Sequence, residues 1–559
     1  MQSLAGYSFD RFLHHDEMTR WLSTTVAAHP HLATLEQYGT SHEGRALWLV
    51  TITDSSTGPA TDKPAHWVDA NIHSVEVTGG VAALHLVAHL LDGHDRGDQT
   101  VREALATRTF YVAPRVNPDG VEAALADVPR QRRSSMRMWP WRDGHRWPGL
   151  ETSDIDGDGR ILLMRIEDPN GSHVEHPREP RVMIPREHKD APADATRWRI
   201  VPEGIVNDWD GFTVPTPRAP QGLDMNRNFP AGWDTSVTGS GDHPMSEPEI
   251  DALVRAITAR PNICGYHAYH TSGGFLLRPS STKGDSKLPP EDLWVFKQIA
   301  ARGTELTSYP AHSVYEDLTW DKSETMSGAA DDWAYEHLGV YSWTTEFWDA
   351  IAVATDGRER SSTEIWYVGP TVEQELAVCA WSDIHAPGSY LPWRPHDHPQ
   401  LGRVELGGPD DFRIWTNAPT SVLRNEVEPH SEWVVHQAML SPRLEILLLR
   451  AEQLGTDTWR VEAGIANTGF LPTQVSHWAR KHDLVLPITA EVSGAECIGP
   501  SRVKAGQLAG RAHFALNGPG GTPDRTLVSW VVRAGPGTEV TVRAEHPRAG
   551  RRTASLRLN

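Results

Sequence analysis

The sequence is short of three things: cysteine, long apolar runs and positive charge. Its 559 residues include only Cys264, Cys379 and Cys497, which are too few and too scattered for a disulfide framework or a cysteine-ligated zinc site. No apolar stretch is long enough to span a bilayer, so no membrane segment is predicted. The formal net charge of −20 opposes binding to nucleic acid, because phosphate contacts need a surplus of lysine and arginine.

The first residues of the sequence show no pattern of an export signal. Residues 1–7 contain no basic region followed by an apolar run, so we predict no signal peptide and expect a cytoplasmic protein. The composition is that of ordinary globular proteins, and the chain is too long for one hydrophobic core. Two or more domains are therefore expected, and the sequence carries no signal for an oligomeric state.

What the sequence does contain is a regular alternation of strands and helices up to about residue 390. The apolar strands are predicted at 67–72, 109–113, 263–270 and 339–346. Helical segments between them indicate an α/β fold with a mostly parallel or mixed sheet covered on both faces. A region at about 129–221, rich in proline, arginine, tryptophan and aspartate, interrupts the alternation and is interpreted as a large insertion.

The pattern changes near residue 390. Pro392, Pro395 and Pro399 predict a linker, and beyond them short strands of period two alternate with glycine and proline turns. Such a pattern is typical of a small β-sandwich. We therefore expect one domain at 1–390, including the insertion, and a C-terminal β-sandwich at 400–559.

Two His-x-x-Glu pairs are candidates for holding a divalent metal ion. His73-x-x-Glu76 directly follows a predicted strand, and ligands of open α/β sheets bind outside the carboxyl ends of strands. His176-x-x-Glu179 lies among prolines with no strand predicted before it, and it is interpreted as a solvated loop. The sequence therefore favours His73 and Glu76 as ligands, with zinc as the expected metal.

A third ligand should also end a strand. The strand at 263–270 contains His267 and His270, which face opposite sides because their spacing is odd. His270 is nearer the end of the strand and is preferred, while His267 is interpreted as a core histidine or as a neighbour of the site. Two histidines, one glutamate and a water molecule form a common catalytic zinc set.

A zinc site of this kind needs a base that accepts a proton from water. Glu346 lies in the apolar run at 341–348, and a buried carboxylate without a partner is costly. We therefore predict that Glu346 is the base, with a structural ion pair as the alternative.

Taken together, the motifs resemble the carboxypeptidase A-like zinc carboxypeptidases over about residues 7–385. In family order they are Gly39-x-Ser41-x-Glu43-Gly44-Arg45, His73-x-x-Glu76, Asn117-Pro118-Asp119-Gly120, Asp224-x-Asn226-Arg227, Ser246-Glu247-Pro248-Glu249, His270 and Glu346. The resemblance implies an α/β/α sandwich with a mixed, mostly parallel sheet and the removal of C-terminal residues from peptides. It also implies that His73, Glu76 and His270 bind zinc and that Glu346 is the general base.

The resemblance further implies how a substrate binds. Asn226 and Arg227 match the pair that holds the substrate's C-terminal carboxylate, so the expected partner is a peptide with a free C-terminal carboxylate. Asp331 falls on the position that lines the side-chain pocket, where an acidic residue would favour a C-terminal lysine or arginine. A structural turn is the alternative for Asp331.

The family's oxyanion-stabilising arginine should follow the Asn117-Pro118-Asp119-Gly120 turn within about one short helix. Four arginines compete for this role: Arg130, Arg132, Arg133 and Arg137. Arg133 is preferred among them.

The chain departs from the family pattern elsewhere. The position of the family's mobile, substrate-binding tyrosine holds Glu324, for which Tyr315 or Trp320 could substitute. The insertion is far larger than in digestive members of the family. It could cover the cleft and restrict substrates to short peptides.

The insertion contains an acidic turn that resembles the first half of a calcium loop. Asp154, Asp156 and Asp158 alternate and are followed by glycine, which predicts a Ca²⁺ site. The closing glutamate is missing, because Arg165 stands at position 12 of such a loop. The alternative is a tight Asp-Gly turn between two short strands.

Two further hypotheses stand beside a zinc metallocarboxypeptidase. An amidohydrolase of the deacylase kind, or a cell-wall peptide hydrolase, could use the same zinc set on the same fold. An inactive peptide- or carbohydrate-binding protein is the alternative from another class. The complete ligand set together with Glu346 argues against inactivity.

Overall fold

A computed structural model describes residues 6–139, 148–216, 223–323, 325–361, 365–512 and 521–559. Its strands are β1 (Ala33–Thr40), β2 (Ala46–Ile52), β3 (Ala65–Ala70), β4 (Thr109–Ala113), β5 (Gly149–Thr152), β6 (Leu163–Glu167), β7 (His173–His176), β8 (Glu179–Pro185), β9 (Trp198–Pro202), β10 (Gly204–Asn207), β11 (Ile263–Thr271), β12 (Phe275–Arg278), β13 (Ala311–Ser313), β14 (Tyr341–Phe347), β15 (Tyr390–His398), β16 (Gly402–Pro409), β17 (Leu444–Gly455), β18 (Thr458–Asn467), β19 (Ile488–Ser493), β20 (Glu496–Cys497), β21 (Arg502–Gly506), β22 (Arg525–Arg533), β23 (Glu539–His546) and β24 (Gly550–Arg557). Its α-helices are α1 (His15–Ala28), α2 (Val77–Arg96), α3 (Gln99–Thr107), α4 (Pro118–Ala124), α5 (Pro248–Thr258), α6 (Pro290–Thr307), α7 (Ala330–Trp333), α8 (Ala350–Ala354), α9 (Ile365–Val368), α10 (Val372–His385), α11 (Leu423–Met439) and α12 (His477–Lys481). In this described part of the chain, no helix has both the length and the apolar composition needed to cross a membrane.

Within the described residues, eight strands form the central sheet in the order β1-β2-β4-β3-β11-β14-β12-β13. The four neighbours β4, β3, β11 and β14 run parallel, as do β12 and β13. The pairings β1–β2, β2–β4 and β14–β12 are antiparallel. The sheet is therefore mixed and mostly parallel, as predicted.

The central strands direct alternate side chains into two cores, one on each face of the sheet. In β3, Val68 and Ala70 pack with α2 on one face, and Trp67 packs with α5 and α6 on the other. In β11, Tyr269 and Tyr266 divide between the same two cores. Full burial of one such large apolar side chain contributes roughly 1.5–3 kcal/mol to stability. The predicted α/β/α sandwich is confirmed.

The region predicted as an irregular insertion contains a second sheet. Its strand order is β15-β16-β6-β9-β7-β8, and β5 and β10 form a separate pair. The linker predicted at Pro392, Pro395 and Pro399 is wrong, because the first two prolines lie within β15. β15 is the edge strand of this sheet, and an edge strand tolerates residues that have no N–H to donate.

The prediction of a solvated loop around His176 and Glu179 is also wrong. His176 ends β7, Glu179 begins β8, and the two residues pair across an antiparallel hairpin. Proline and charged residues misled the prediction because this hairpin is closed by Pro177 and Arg178, as many tight turns are.

The C-terminal strands form two antiparallel sheets with the orders β17-β18-β22-β20 and β21-β19-β23-β24. Val461 and Trp530 of one sheet share a core with Ala490 and Val542 of the other, as expected for the predicted β-sandwich. The strands of the sandwich begin only at β17, whereas α11 packs against α2 and α6, which belong to the first unit. We propose that the two units divide between α11 and β17 rather than near residue 400.

The sandwich contacts the amino ends of the central strands. The buried guanidinium of Arg548 donates to the carbonyls of Gln474 and of Gly339, just before β14, at 3.1 and 3.4 Å. Cys264, near the start of β11, has its Sγ 3.1 Å from the carbonyl oxygen of Arg548. The sandwich therefore lies at the opposite end of these strands from their carboxyl ends.

Candidate active site

The turn between β3 and α2 carries the first two predicted metal ligands. Asn71 follows β3 with a φ of 54°, and its side-chain amide donates to the Glu76 carbonyl at 2.5 Å. Gly80 allows α2 to come close, since a Cβ there would lie 2.2 Å from Asn71 Oδ1. The turn thus directs His73 and Glu76, which caps α2, to one place.

His270, near the end of β11, completes a buried cluster with His73 and Glu76. Nδ1 of His270 lies 2.9 Å from Glu76 Oε2 and 3.1 Å from His73 Nδ1, and His73 Nδ1 lies 2.7 Å from Glu76 Oε1. The backbone N–H of Thr271 also donates to Glu76 Oε2 at 3.2 Å. The three side chains offer ligand atoms that all lie within 4.8 Å of one another.

Asp224 determines which nitrogen of His73 carries a proton. Its Oδ1 lies 3.0 Å from His73 Nε2, and an ionised carboxylate can only accept, so Nε2 is the donor. Nδ1 of a neutral His73 is then an acceptor that faces a Glu76 oxygen at 2.7 Å. Two acceptors at that distance need a proton or a cation between them. Two imidazole nitrogens and a carboxylate are a donor set that suits zinc.

The charges of the cluster keep its carboxylates ionised and favour a proton on His73, which a metal ion would displace on binding. Burial lowers the pKa of His73, but the Glu76 and Asp224 carboxylates outweigh burial and raise that pKa. Burial would raise the pKa of Glu76, but His73 and His270 hold that pKa far below its usual range. Burial would raise the pKa of Asp224 as well, but the Arg133 guanidinium and His73 hold it well below its usual range. Both carboxylates therefore stay ionised at neutral pH, which metal binding requires.

Glu346 lies beside the cluster. β11 and β14 run parallel with His270 opposite Glu346, so the two side chains come from neighbouring strand ends. Burial raises the pKa of the Glu346 carboxyl to about 8. Among the described residues, no group donates a hydrogen bond to this carboxylate. This side chain is therefore placed to exchange a proton with a water molecule or a substrate.

Arg133 reaches the cluster from the start of the insertion. Its Nε donates to Asp224 Oδ2 at 2.8 Å, and its Nη1 lies 3.9 Å from Glu76 Oε1. About half of the Arg133 side chain is exposed. Its Nη1 and Nη2 donate no hydrogen bond within the described residues and can therefore reach a substrate oxygen.

The other three candidate arginines are held elsewhere. Arg137 grips the buried Glu247 carboxylate at 2.7 and 3.1 Å. Arg132 donates to the carbonyl of Met136 at 3.0 Å, and Arg130 is exposed. None of the three lines the cavity that contains the cluster.

All of the predicted metal, catalytic and substrate residues line one cavity of about 340 Å³. They are His73, Glu76, Arg133, Asn226, Arg227, His270, Asp331 and Glu346. Leu277, Val314 and Leu318 add apolar wall. The cavity is within the size range of ligand sites and joins the candidate metal ligands, the candidate base and the candidate carboxylate-binding pair.

Asn226 and Arg227 lie in the single 3₁₀ turn Met225–Arg227. Asn226 Oδ1 accepts the backbone N–H of Ala330 at 2.9 Å, and Arg227 Nη1 donates to the Asn226 carbonyl at 2.7 Å. Gly328 lets the two loops touch, because a Cβ there would lie 2.3 Å from the Arg227 carbonyl oxygen. The remaining donors of Arg227 can grip a carboxylate in the cavity.

Asp331 is buried in the cavity wall next to Asp332. It accepts the backbone N–H of Asp332 at 3.0 Å, and the Asp332 carboxylate accepts that of Ser281 at 2.9 Å. Burial raises the pKa of both carboxyls. Among the described residues, no lysine or arginine forms an ion pair with Asp331, so a cationic group entering the cavity could form one.

The family comparison agrees with this arrangement. A family model described as zinc carboxypeptidase matches residues 18–156 and 190–363, together more than half of the chain. The chain belongs to the zinc carboxypeptidase family. The predicted resemblance is thereby confirmed. A second model, for a domain of unknown function, matches residues 443–557 of this family member.

Several carboxypeptidases are similar to the chain over parts of their length. Carboxypeptidase O of Bos taurus is 22% identical over 62% of this chain and 72% of its own length. Carboxypeptidase A1 of Rattus norvegicus is 23% identical over 62% and 65%, and a zinc carboxypeptidase of Saccharothrix mutabilis subsp. capreolus is 32% identical over 21% and 25%. The crystal structure of thrombin activatable fibrinolysis inhibitor superposes with a TM-score of 0.44 at 16% identity, covering 78% of this chain and 76% of that one.

In this family member, Asp224 contributes to the site although no role was predicted for it. It contacts both His73 and Arg133 and so links a metal ligand to the candidate oxyanion arginine. A signal was present, because Asp224 stands two residues before Asn226 in the same motif. Histidines that bind metals usually donate their second N–H to such a carboxylate.

His267 lies on the opposite face of β11 from His270. Its ring nitrogens lie 2.8 Å from Thr345 Oγ1 and 3.0 Å from Gln437 Nε2, and its ring packs against Trp433 with centroids 4.7 Å apart. It does not line the cavity. It is therefore a core histidine.

The residues considered as substitutes for the mobile tyrosine do not meet the cavity. Glu324 lies outside the described residues, and neither Tyr315 nor Trp320 lines the cavity. Trp320 instead packs against Tyr367, with ring centroids 5.1 Å apart. The cavity's aromatic wall is Trp366.

The acidic turn predicted to bind calcium is arranged differently from the prediction. Asp154 and Asp156 come together with Glu203 rather than with Asp158. Arg394 contacts Asp156 and Asp158, each at 2.5 Å, and its charge offsets the attraction for a cation. The calcium prediction therefore has no support.

Proposed function

We propose that this protein is a zinc metallocarboxypeptidase that removes C-terminal residues from peptides. The observation that carries the proposal is the meeting of three groups in one cavity. These groups are the His73–Glu76–His270 cluster, the unpartnered Glu346 carboxylate and the Asn226–Arg227 pair. An amidase whose substrate has no carboxylate would not need the Asn226–Arg227 pair.

Each residue then has a role in peptide hydrolysis. His73, Glu76 and His270 would hold zinc, which when bound supplies a Lewis acid and lowers the pKa of water. Glu346 accepts a proton from the attacking water and delivers it to the amine that leaves as the C–N bond breaks. Arg133 donates N–H groups to the oxygen on which negative charge develops.

The substrate is positioned by its terminus. Asn226 and Arg227 bind the C-terminal carboxylate, which places the last peptide bond beside the cluster. Asp331 is buried in the same cavity without a cationic partner among the described residues, which supports a preference for lysine or arginine as the released residue.

The test combines metal analysis with product analysis. Purified protein is analysed for metal, and a panel of peptides that differ in the C-terminal residue is supplied with free or amidated C-termini, with and without a chelator. We expect one zinc per chain, chelator-sensitive release of single residues, fastest release of lysine or arginine, and no release from amidated peptides.

Other outcomes would contradict the proposal. Zinc without release would move the assignment to an amidohydrolase or a cell-wall peptide hydrolase. Protein without zinc would favour an inactive binding protein. Release of apolar residues in preference to lysine and arginine would remove the role of Asp331 and leave the rest intact.

A further inference from the structure

A second cavity, of about 530 Å³, adjoins the cavity that holds the cluster. The two share Ser272, which follows His270 by two residues, and Trp366. Its walls are mainly apolar and include Ile161, Leu162, Leu163, Trp348, Ile351 and Trp415. It is a concave apolar space directly next to the proposed reaction centre, where a ligand group would be expected to bind.

Part of this second cavity is built from segments outside the family match at 18–156 and 190–363. Leu163 begins β6 of the insertion sheet, Trp366 belongs to α9, and Pro409 and Trp415 come from the end of β16 and the turn after it. About half of the lining residues thus come from segments that the family model does not match.

The walls are held in place by hydrogen bonds. Trp348 follows β14, and its indole Nε1 donates to the carbonyl of Ile414 at 2.6 Å. The backbone N–H of Trp348 is bound by the Tyr309 hydroxyl at 2.8 Å and by Glu426 Oε1 at 2.9 Å. Trp366 nevertheless leaves 45% of its surface exposed. A wall fixed at Trp348, together with the accessible aromatic surface of Trp366, favours binding of an apolar group.

The direction of the substrate follows from the shared residues. Asn226, Arg227 and Asp331 line the first cavity but not the second. A peptide with its terminal carboxylate at Asn226 and Arg227 presents its last peptide bond to the cluster. The residue before the released one then extends out of the first cavity past Ser272 and Trp366. We propose that the second cavity binds the apolar side chain of the residue that precedes the released one; this rests on the proposed function.

The ionisable residues of the lining indicate which substrate side chains the second cavity accepts. Among the described residues around the second cavity, the ionisable groups are the carboxylates of Glu375 and Asp411. Asp411 accepts the Thr416 hydroxyl at 3.1 Å. An acidic side chain would be repelled there, whereas leucine or tryptophan would bury apolar surface.

The first experiment varies only the preceding residue. N-acetylated dipeptides share the C-terminal residue that the zinc-loaded protein releases fastest and carry glycine, leucine, tryptophan or aspartate before it. We expect kcat/KM for leucine and tryptophan to exceed that for glycine by about tenfold or more, with aspartate lowest. Equal values for all four would overturn the inference.

Variants of wall residues test whether the second cavity causes the preference for an apolar preceding residue. Trp415→Ala and, as a second choice should that protein fail to fold, Leu163→Ser should bring the tryptophan-to-glycine ratio of kcat/KM to within about twofold of one. Phe212→Ala is the control, because Phe212 is an apolar insertion residue that is 91% exposed and does not line the cavity. It should keep the wild-type ratio.

The results separate this inference from the function on which it rests. Release with no dependence on the preceding residue, or a ratio kept by folded variants of both wall residues, overturns the second cavity's role and leaves the carboxypeptidase proposal standing. No release from any of the peptides by zinc-loaded protein overturns both.

Discussion

Two His-x-x-Glu pairs lie in different settings, one at the end of a central strand and the other in a hairpin of the insertion. In the first, His73 Nδ1 lies 2.7 Å from the Glu76 carboxylate. In the second, His176 Nδ1 accepts the backbone N–H of Glu179 at 3.2 Å, and the Glu179 carboxylate binds Arg181 at 2.8 and 2.9 Å. Both histidines are buried, so burial does not distinguish the pairs.

The backbone between the two residues explains the difference. Glu76 occupies the N-cap position of α2, and its carboxylate lies at the strand end where His270 arrives from the neighbouring parallel strand. Glu179 begins β8, and Arg181 lies two residues along on the same face of that strand. A His-x-x-Glu spacing therefore predicts a metal site only when a second strand end supplies another ligand and no cation lies nearer.

Removing the histidine of each pair should give the largest difference in zinc content between the two pairs. His73→Ala should reduce zinc from one per chain to almost none and abolish peptide release, because two ligands do not hold zinc in a catalytic site. His176→Ala should keep the full zinc content. Elemental analysis after dialysis measures both. Retention of zinc by the first variant, or its loss from both, would contradict the assignment.

Replacing a carboxylate outside the ligand set should lower turnover without removing the metal. Glu346→Gln keeps the shape of the side chain but removes the base, so kcat should fall by about 10²–10⁴-fold while zinc content stays the same. Glu179→Gln is the matched control in the hairpin and should leave kcat unchanged. Wild-type turnover in Glu346→Gln would remove this residue from the mechanism.

The smallest effect on the site should come from the carboxylates that contact each pair from outside it. Asp224→Asn weakens the acceptor for His73 Nε2 and should lower zinc affinity by about 10–100-fold, measured by competition with a chelator. Asp383, which pairs with Arg181 at 2.7 Å and is half exposed, offers the matched change. Asp383→Asn should leave zinc affinity unaltered and change the free energy of unfolding by no more than about 1 kcal/mol. Equal zinc affinities for the two variants would show that Asp224 does not orient His73.

The central part of the fold could be predicted because its strands are rich in apolar residues and end in polar ones. Parallel strands bring their carboxyl ends to one edge, so His73, His270 and Glu346 could be expected to meet before any coordinates were known. The positions of Asn226, Arg227 and Asp331 came from the family resemblance instead. Their roles in substrate binding stay predictions.

The insertion and its neighbours could not be predicted by the same reasoning. β15 contains prolines and exposed residues because it is an edge strand, and it has no run of apolar residues to reveal it. α11, at 423–439, falls in a region predicted to be all β, and it includes Pro429. Asp224 was missed because its role depends on contacts with side chains distant in the sequence.

The pairing of β6 with β16 places Met164 opposite Leu406, which bears on how the chain folds during synthesis. At about 5–20 residues per second, the ribosome reaches Leu406 roughly 10–50 s after it has made Met164. Throughout that interval one edge of β6 lacks its partner strand, and an unpaired edge can pair with a strand of another chain. A chain that stops before β16 would keep this edge open permanently. β16, which lies after the family match, therefore closes this edge of the insertion sheet only late in synthesis.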